Sequence, residues 1–148
     1  MKKLLGLVFL MLLLVSVTNF TSSKSHVKPS MEGTWELVNR YHYDGINVSD
    51  TLLNINGYRQ VKIYSKGKVM WTRYSPDDQN EWYGYGTYSK TDTSLSEKLE
   101  YGSKSMMKII DTVQVFKFEL HLEKNFFSQI TLDAQGHPTF SENYKRID

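Results

Sequence analysis

Glu32-Gly33-Thr34-Trp35-Glu36-Leu37-Val38 is the stretch that decides the fold. Side chains here alternate with a period of two, which is the signature of a strand rather than a helix. Trp35, Leu37, Asn39 and Tyr41 fall on one face, and Glu36, Val38, Arg40 and His42 on the other. Asp44-Gly45 then supplies a turn signal. The residues before this strand read as an export signal and a tether. Those after it read as short strands and turns.

Upstream, Met1-Lys2-Lys3 is a basic start and Leu4 to Val17 is an uncharged, almost wholly apolar run. Small and polar residues occupy Thr18 to Ser25. That order predicts a secretory signal peptide over 1–23, a tether over 24–31 and one domain over 32–148. A spanning helix needs about 20 apolar residues, more than this run holds. An uncleaved anchor over Leu4 to Phe20 is the competing reading. No Ala-x-Ala marks the cleavage site; Ser16-Val17-Thr18 and Thr21-Ser22-Ser23 both offer small residues at the needed spacing. The chain has no cysteine. A lipoprotein anchor and disulfides are therefore excluded, and the expected location is periplasmic or secreted. The core must then be large enough without staples, and the roughly 125 residues after the signal suffice for that.

The formal charge of +2 belongs to the signal. Without Lys2 and Lys3 the chain carries sixteen basic and sixteen acidic residues. A neutral domain with interspersed signs lacks the electrostatic footprint of a nucleic-acid binder. It also has no polybasic segment to hold it on anionic lipid after signal cleavage.

Downstream, Ile46 to Gly57 reads as a crossover loop, with a short helical turn over Thr51-Leu52-Leu53-Asn54 as the alternative. Seven more strands come after it. Tyr58 to Ser65 has Val61 and Ile63 on one face and Gln60 and Lys62 on the other. Ser65-Lys66-Gly67-Lys68 turns it tightly into Val69 to Ser75. Trp82 to Tyr88 is rich in aromatics. Leu95 to Tyr101 has Leu95, Glu97, Leu99 and Tyr101 on one face. Gly102 to Lys108 reads as a loop. Val113 to Glu123 alternates most cleanly, Phe116, Phe118, Leu120 and Leu122 against charged residues and His121. Phe126 to Leu132 and Thr139 to Ile147 complete the set. Eight strands joined by short loops predict an all-β fold, an eight-stranded antiparallel up-and-down β-barrel. A sandwich is the alternative.

Gly33-x-Trp35 on the first strand resembles the lipocalin signature. Trp82-x-Gly84-x-Gly86-Thr87-Tyr88, Glu97-Lys98-Leu99-Glu100-Tyr101 and Glu142-x-Tyr144-x-Arg146-Ile147, in that order, are similar to small exported lipocalin-like domains of bacteria within the calycin superfamily. The resemblance implies that Gly33, Trp35 and Arg146 close the floor of the barrel, the guanidinium resting on the indole. A cation over an indole face is worth about 0.5–2 kcal/mol. The longer chain, C-terminal helix and disulfides common in lipocalins are missing here.

An eight-stranded barrel either fills with side chains or holds one small ligand. Polar residues on apolar faces are the clue. Glu97 lies between Leu95 and Leu99, and Arg73 is next after Trp71 on its face. A carboxylate in a dry interior needs a partner. Glu97 and Glu142 therefore either line a wet cavity or pair with bases such as Arg73 and Arg146. Trp71, Arg73, Trp82, Tyr88, Glu97 and Tyr101 are the expected ligand-binding residues. No catalytic set appears: the four histidines are scattered, no metal-ligand spacing is present, and no serine sits in G-x-S-x-G. Asn47-Val48-Ser49 matches a glycosylation sequon. The expected function is non-catalytic binding of a small hydrophobic or amphiphilic molecule, with no cofactor and no metal. The alternatives are a protein-interaction, inhibitor or envelope accessory module on a filled scaffold, and an enzyme using Glu97 as acid or base.

Overall fold

The computed structural model of the chain describes residues 28–55 and 57–148. The signal segment 1–23 and the start of the tether lie outside the described residues. The fold is organised by β1 (Gly33–Tyr43), which pairs with three other strands. Along one edge it meets β9 (Pro138–Arg146), from Trp35 opposite Arg146 to His42 opposite Phe140. Along its other edge the residues Gly33 to Glu36 pair with β3 (Arg59–Ser65), and Asn39 to Tyr43 pair with β2 (Val48–Leu53). The sheet continues from β3 through β4 (Lys68–Tyr74), β5 (Trp82–Lys90), β6 (Ser94–Gly102), β7 (Val115–Leu122) and β8 (Phe126–Leu132) to β9, each antiparallel to the next. The result is a nine-stranded antiparallel sheet whose β1–β9 pairing closes it into a ring. The β3–β4 hairpin turns through Lys66 and Gly67, both at positive φ (48° and 76°). Such backbone twist matches the twist of the flanking strands.

Three features differ from the expectation, and one settles a face that it left open. First, Val48–Leu53 is a strand, so there are nine rather than eight. Asp44 folds it back by accepting from the backbone N–H of Ile46 (3.0 Å) and Asn47 (2.8 Å). It pairs only with β1 and is exposed on nearly every residue. With no buried face it has no period-two pattern to read. Second, the expected loop at Gly102 to Lys108 contains a helix, α1 (Lys104–Ile110), with Ser103 accepting from the Met106 N–H at its N-cap. Met106 and Ile110, one turn apart, are buried, and the helix packs against β5 and β6.

Third, the inner face of β3 is the polar one. Gln60, Lys62 and Tyr64 point inward and are buried, while Ile63 is exposed. Fourth, two register shifts move side chains across the sheet. Leu37 pairs with Tyr144, but Asn39 pairs with Asn143, which leaves Val38 as an extra residue in β1. Beyond it Arg40, not Asn39, faces inward, opposite Glu142 in the register. In β6, Gly86 pairs with Leu99 and Tyr85 with Tyr101, so Glu100 is the extra residue. One extra residue reverses the face of every side chain beyond it.

One end of the ring is sealed. Trp35 is fully buried, and its Nε1 donates to the Met31 carbonyl (2.8 Å). Met31, at the end of the segment read as a tether, is itself buried in the core. Arg146 stands 4.1 Å over the Trp35 ring. Its guanidinium donates to the carbonyls of Ser30 (2.7 Å), Glu32 (2.7 Å) and Lys124 (3.0 Å). It therefore ties the start of the described chain and the β7–β8 turn to the last strand. Gly33 admits this arrangement: its φ is 137°, and a Cβ there would lie 2.0 Å from Arg146 Nη1. Phe127 stacks on Tyr144 (4.6 Å) and meets Trp35 edge-on (4.9 Å), completing an aromatic floor.

Candidate functional site

Above the aromatic floor the interior is polar. Lys62 on β3 and Glu97 on β6 come from different walls, and each is only 3% exposed. Lys62 Nζ donates to both Glu97 oxygens (2.9 and 3.1 Å) and to Gln129 Oε1 (2.8 Å), which engages all three of its protons. The Tyr64 hydroxyl donates to Glu97 as well. Glu142 accepts from Gln60 Nε2 (3.2 Å), Gln129 Nε2 (2.8 Å) and the Tyr144 hydroxyl (2.7 Å). Gln129 thus joins the two carboxylates into one network spanning β3, β6, β8 and β9. Burial, reinforced by the adjacent Glu97 carboxylate, holds the Tyr64 hydroxyl well above the usual tyrosine range. Burial and then Glu142 do the same to Tyr144. Both phenols stay protonated and donate. A buried charge without such partners would be strongly unfavourable.

Above this belt lies a cavity of about 120 Å³. Its floor is the belt: Gln60, Lys62, Glu97, Gln129 and Glu142. Its walls are Trp71, Leu99, Met106, Phe116 and Phe118, with Arg73 at the rim. Trp71 lies across Gly84, its cross-strand partner, where a Cβ would sit 2.8 Å from the indole nitrogen. Met106 arrives on α1, so the helix covers part of the open end.

Two arginines stand at that end. Arg73 rests 4.5 Å over the Trp82 ring, whose Nε1 donates to Asp78 (2.6 Å). Hydrogen bonds from the Asn80 backbone and side chain, then from Trp82, hold the Asp78 carboxyl below its usual range. Arg40 rests 4.4 Å over the Tyr58 ring. The Tyr58 hydroxyl donates to Gln60 Oε1 (2.9 Å), which links the mouth to the belt. Burial raises the Tyr58 hydroxyl, against the opposing pull of Arg40 and Arg73 nearby. Neither arginine forms an ion pair among the described residues. Arg40 Nε and Asn54 Oδ1 are buried with no hydrogen-bond partner among the described residues.

Of the residues expected to bind ligand, Trp71, Arg73 and Glu97 line this cavity. Trp82 supports Arg73 at the rim. Tyr88 sits lower, edge-on to Tyr64 (4.9 Å). Tyr101 is outside, 54% exposed and stacked on Tyr85, because the extra residue Glu100 turns it outward. Glu97 pairs with Lys62 rather than Arg73, and Glu142 is held by two glutamines and a tyrosine rather than by Arg146. Gln60, Lys62 and Gln129 are not among the residues expected to bind ligand, yet all three are buried. Tyr64, large and two positions beyond Lys62, is the signal that points β3 the right way. Arg40 carries no such signal, since only the β1 bulge brings it inward.

No protein-family model and no curated protein matches the chain. The solved structure of an uncharacterized protein from Bacteroides eggerthii is similar in fold, with a TM-score of 0.53 at 12% sequence identity. The match covers 80% of this chain and 100% of that one.

Proposed function

We propose that the chain is an exported, non-catalytic, lipocalin-like barrel that binds a small amphiphilic molecule. In this reading β1 and β3 to β9 are the eight barrel strands and β2 is an added outer strand. The observation that carries it is the cavity: one end of the ring is sealed by Trp35 and Arg146, while the other opens onto apolar walls above a polar floor. Its volume of about 120 Å³ bounds the ligand. Drug-sized ligands need about 300 Å³ or more. About four water volumes, at roughly 30 Å³ each, suit a molecule of a few heavy atoms. A polar floor favours an amphiphile over a purely apolar guest. A non-catalytic role is supported by the pairing of Glu97, whose oxygens are engaged by Lys62 and Tyr64.

Native mass spectrometry of the protein purified from its own source tests this. The expected spectrum carries a single small-molecule adduct that gentle activation removes. A spectrum of bare protein under the mildest conditions overturns the proposal.

A second reading, a filled scaffold that binds another protein, is favoured by one observation. Ile63, Met70, Tyr85 and Tyr101 are successive cross-strand partners in one row across the outer face of β3 to β6. Ile63, Met70 and Tyr101 are each at least 43% exposed. Bare protein in the spectrum together with an adduct of protein mass would select this reading.

A further inference from the structure

We infer that the mouth of the ring binds the carboxylate of a small organic monoanion between Arg40 and Arg73, with its short apolar part in the cavity. This rests on the small-molecule reading above and names the class of ligand.

The pairing of the charges points to an anion. Inside the ring, Lys62 and Glu97 neutralise each other through two hydrogen bonds. Around the open end the described residues bring two arginines, Arg40 and Arg73, and two carboxylates, Asp78 beside Arg73 and Glu142 on the cavity floor. Glu142 does not quench the arginines: it forms no ion pair among the described residues and is held by Gln60, Gln129 and Tyr144. Asp78 is held by Asn80 and Trp82 and also forms no ion pair with either arginine, so both guanidiniums stay open to an added carboxylate.

The geometry agrees. Arg40 and Arg73 both flank Tyr58, Arg40 by stacking on its ring. Arg73 lies over Trp82 and lines the cavity. Each guanidinium is held by an aromatic face and keeps its fork of N–H groups unengaged by any carboxylate among the described residues. Planar forks of this kind match carboxylate oxygens in pairs, and aromatic stacking fixes their direction. The buried Arg40 Nε has no hydrogen-bond partner among the described residues. Below the forks, Trp71, Leu99, Met106 and Phe116 offer apolar contact for a chain of a few carbons.

The test is titration of the purified protein with butyrate and with the neutral isostere butyramide, read by NMR of the Trp71 and Trp82 indole signals and by calorimetry. Butyrate is expected to shift both indoles and to bind about tenfold or more tightly than butyramide, as a charge-assisted bidentate contact requires. Arg40→Met and Arg73→Met should each remove that preference. Arg59→Met, which loses an exposed pair with Glu36 on the outer face, should keep it. Equal binding of acid and amide overturns the anion assignment and leaves small-molecule binding standing. Indole signals unmoved by either probe overturn both. The wild-type comparison needs no variant to fold.

Discussion

Lys62 and Glu97 show how much one side chain depends on another in this interior. Either charge alone, at 3% exposure, would be stranded in a medium that solvates it poorly. Together, and with Tyr64 and Gln129, they satisfy every proton of the ammonium and engage both carboxylate oxygens. Glu97→Leu should therefore destabilise the protein by about 3–5 kcal/mol, because Lys62 is left buried and unpaired. Lys62→Met combined with Glu97→Leu should recover much of that loss, since apolar residues of similar volume replace a buried pair at little net cost. Urea denaturation of wild type and the two variants checks it; a double variant as weak as the single would mean that Lys62 escapes to solvent. Glu97 is legible as an inward carboxylate from Leu95 and Leu99 on its face. Its partner is not, because Lys62 alternates with Val61 and Ile63, and a local pattern ranks lysine as the outward residue.

At the scale of elements, the strands with one apolar face are readable and the exceptions have physical reasons. β7 alternates cleanly because its inward side chains meet apolar neighbours and its outward ones meet water. β2 is wetted on both faces and carries no periodic signal. The helix α1 is seven residues long, two turns, too few to establish a period of 3.6, although Ser103 and the Met106–Ile110 spacing are consistent with it. Removing the cap in Ser103→Ala should cost about 1 kcal/mol. Amide hydrogen exchange should locate the loosening in α1, at Met106 and Met107. Unchanged protection there would show that packing of Met106 and Ile110 alone holds the helix. The extra residues Val38 and Glu100 are invisible locally, because an inserted residue in a strand looks like any other until its partner strand is known.

At the scale of the whole molecule, the ring encloses two tyrosines whose hydroxyls burial and neighbouring carboxylates keep protonated. Their folded-state values lie above the unfolded value of about 10, so the unfolded chain loses these protons first as pH rises. Stability is therefore full below pH ~10 and falls above it, by up to about 1.4 kcal/mol per pH unit for each tyrosine. Thermal melts across this alkaline range should show that slope, and Tyr64→Phe with Tyr144→Phe should flatten it; a slope that survives in the double variant assigns the effect to other groups. By itself the sequence determined the all-β antiparallel class, nearly every strand and turn, and a G-x-W strand at the start with an arginine near the end. These are local or compositional properties, set by period, turn chemistry and residue type. Only the tertiary structure decided which β3 face is inside, that Arg40 enters the mouth while Tyr101 leaves it, and that Lys62 is the partner of Glu97. Those facts depend on register between strands distant in sequence, and a shift of one residue in a partner strand reverses a face without altering any local pattern.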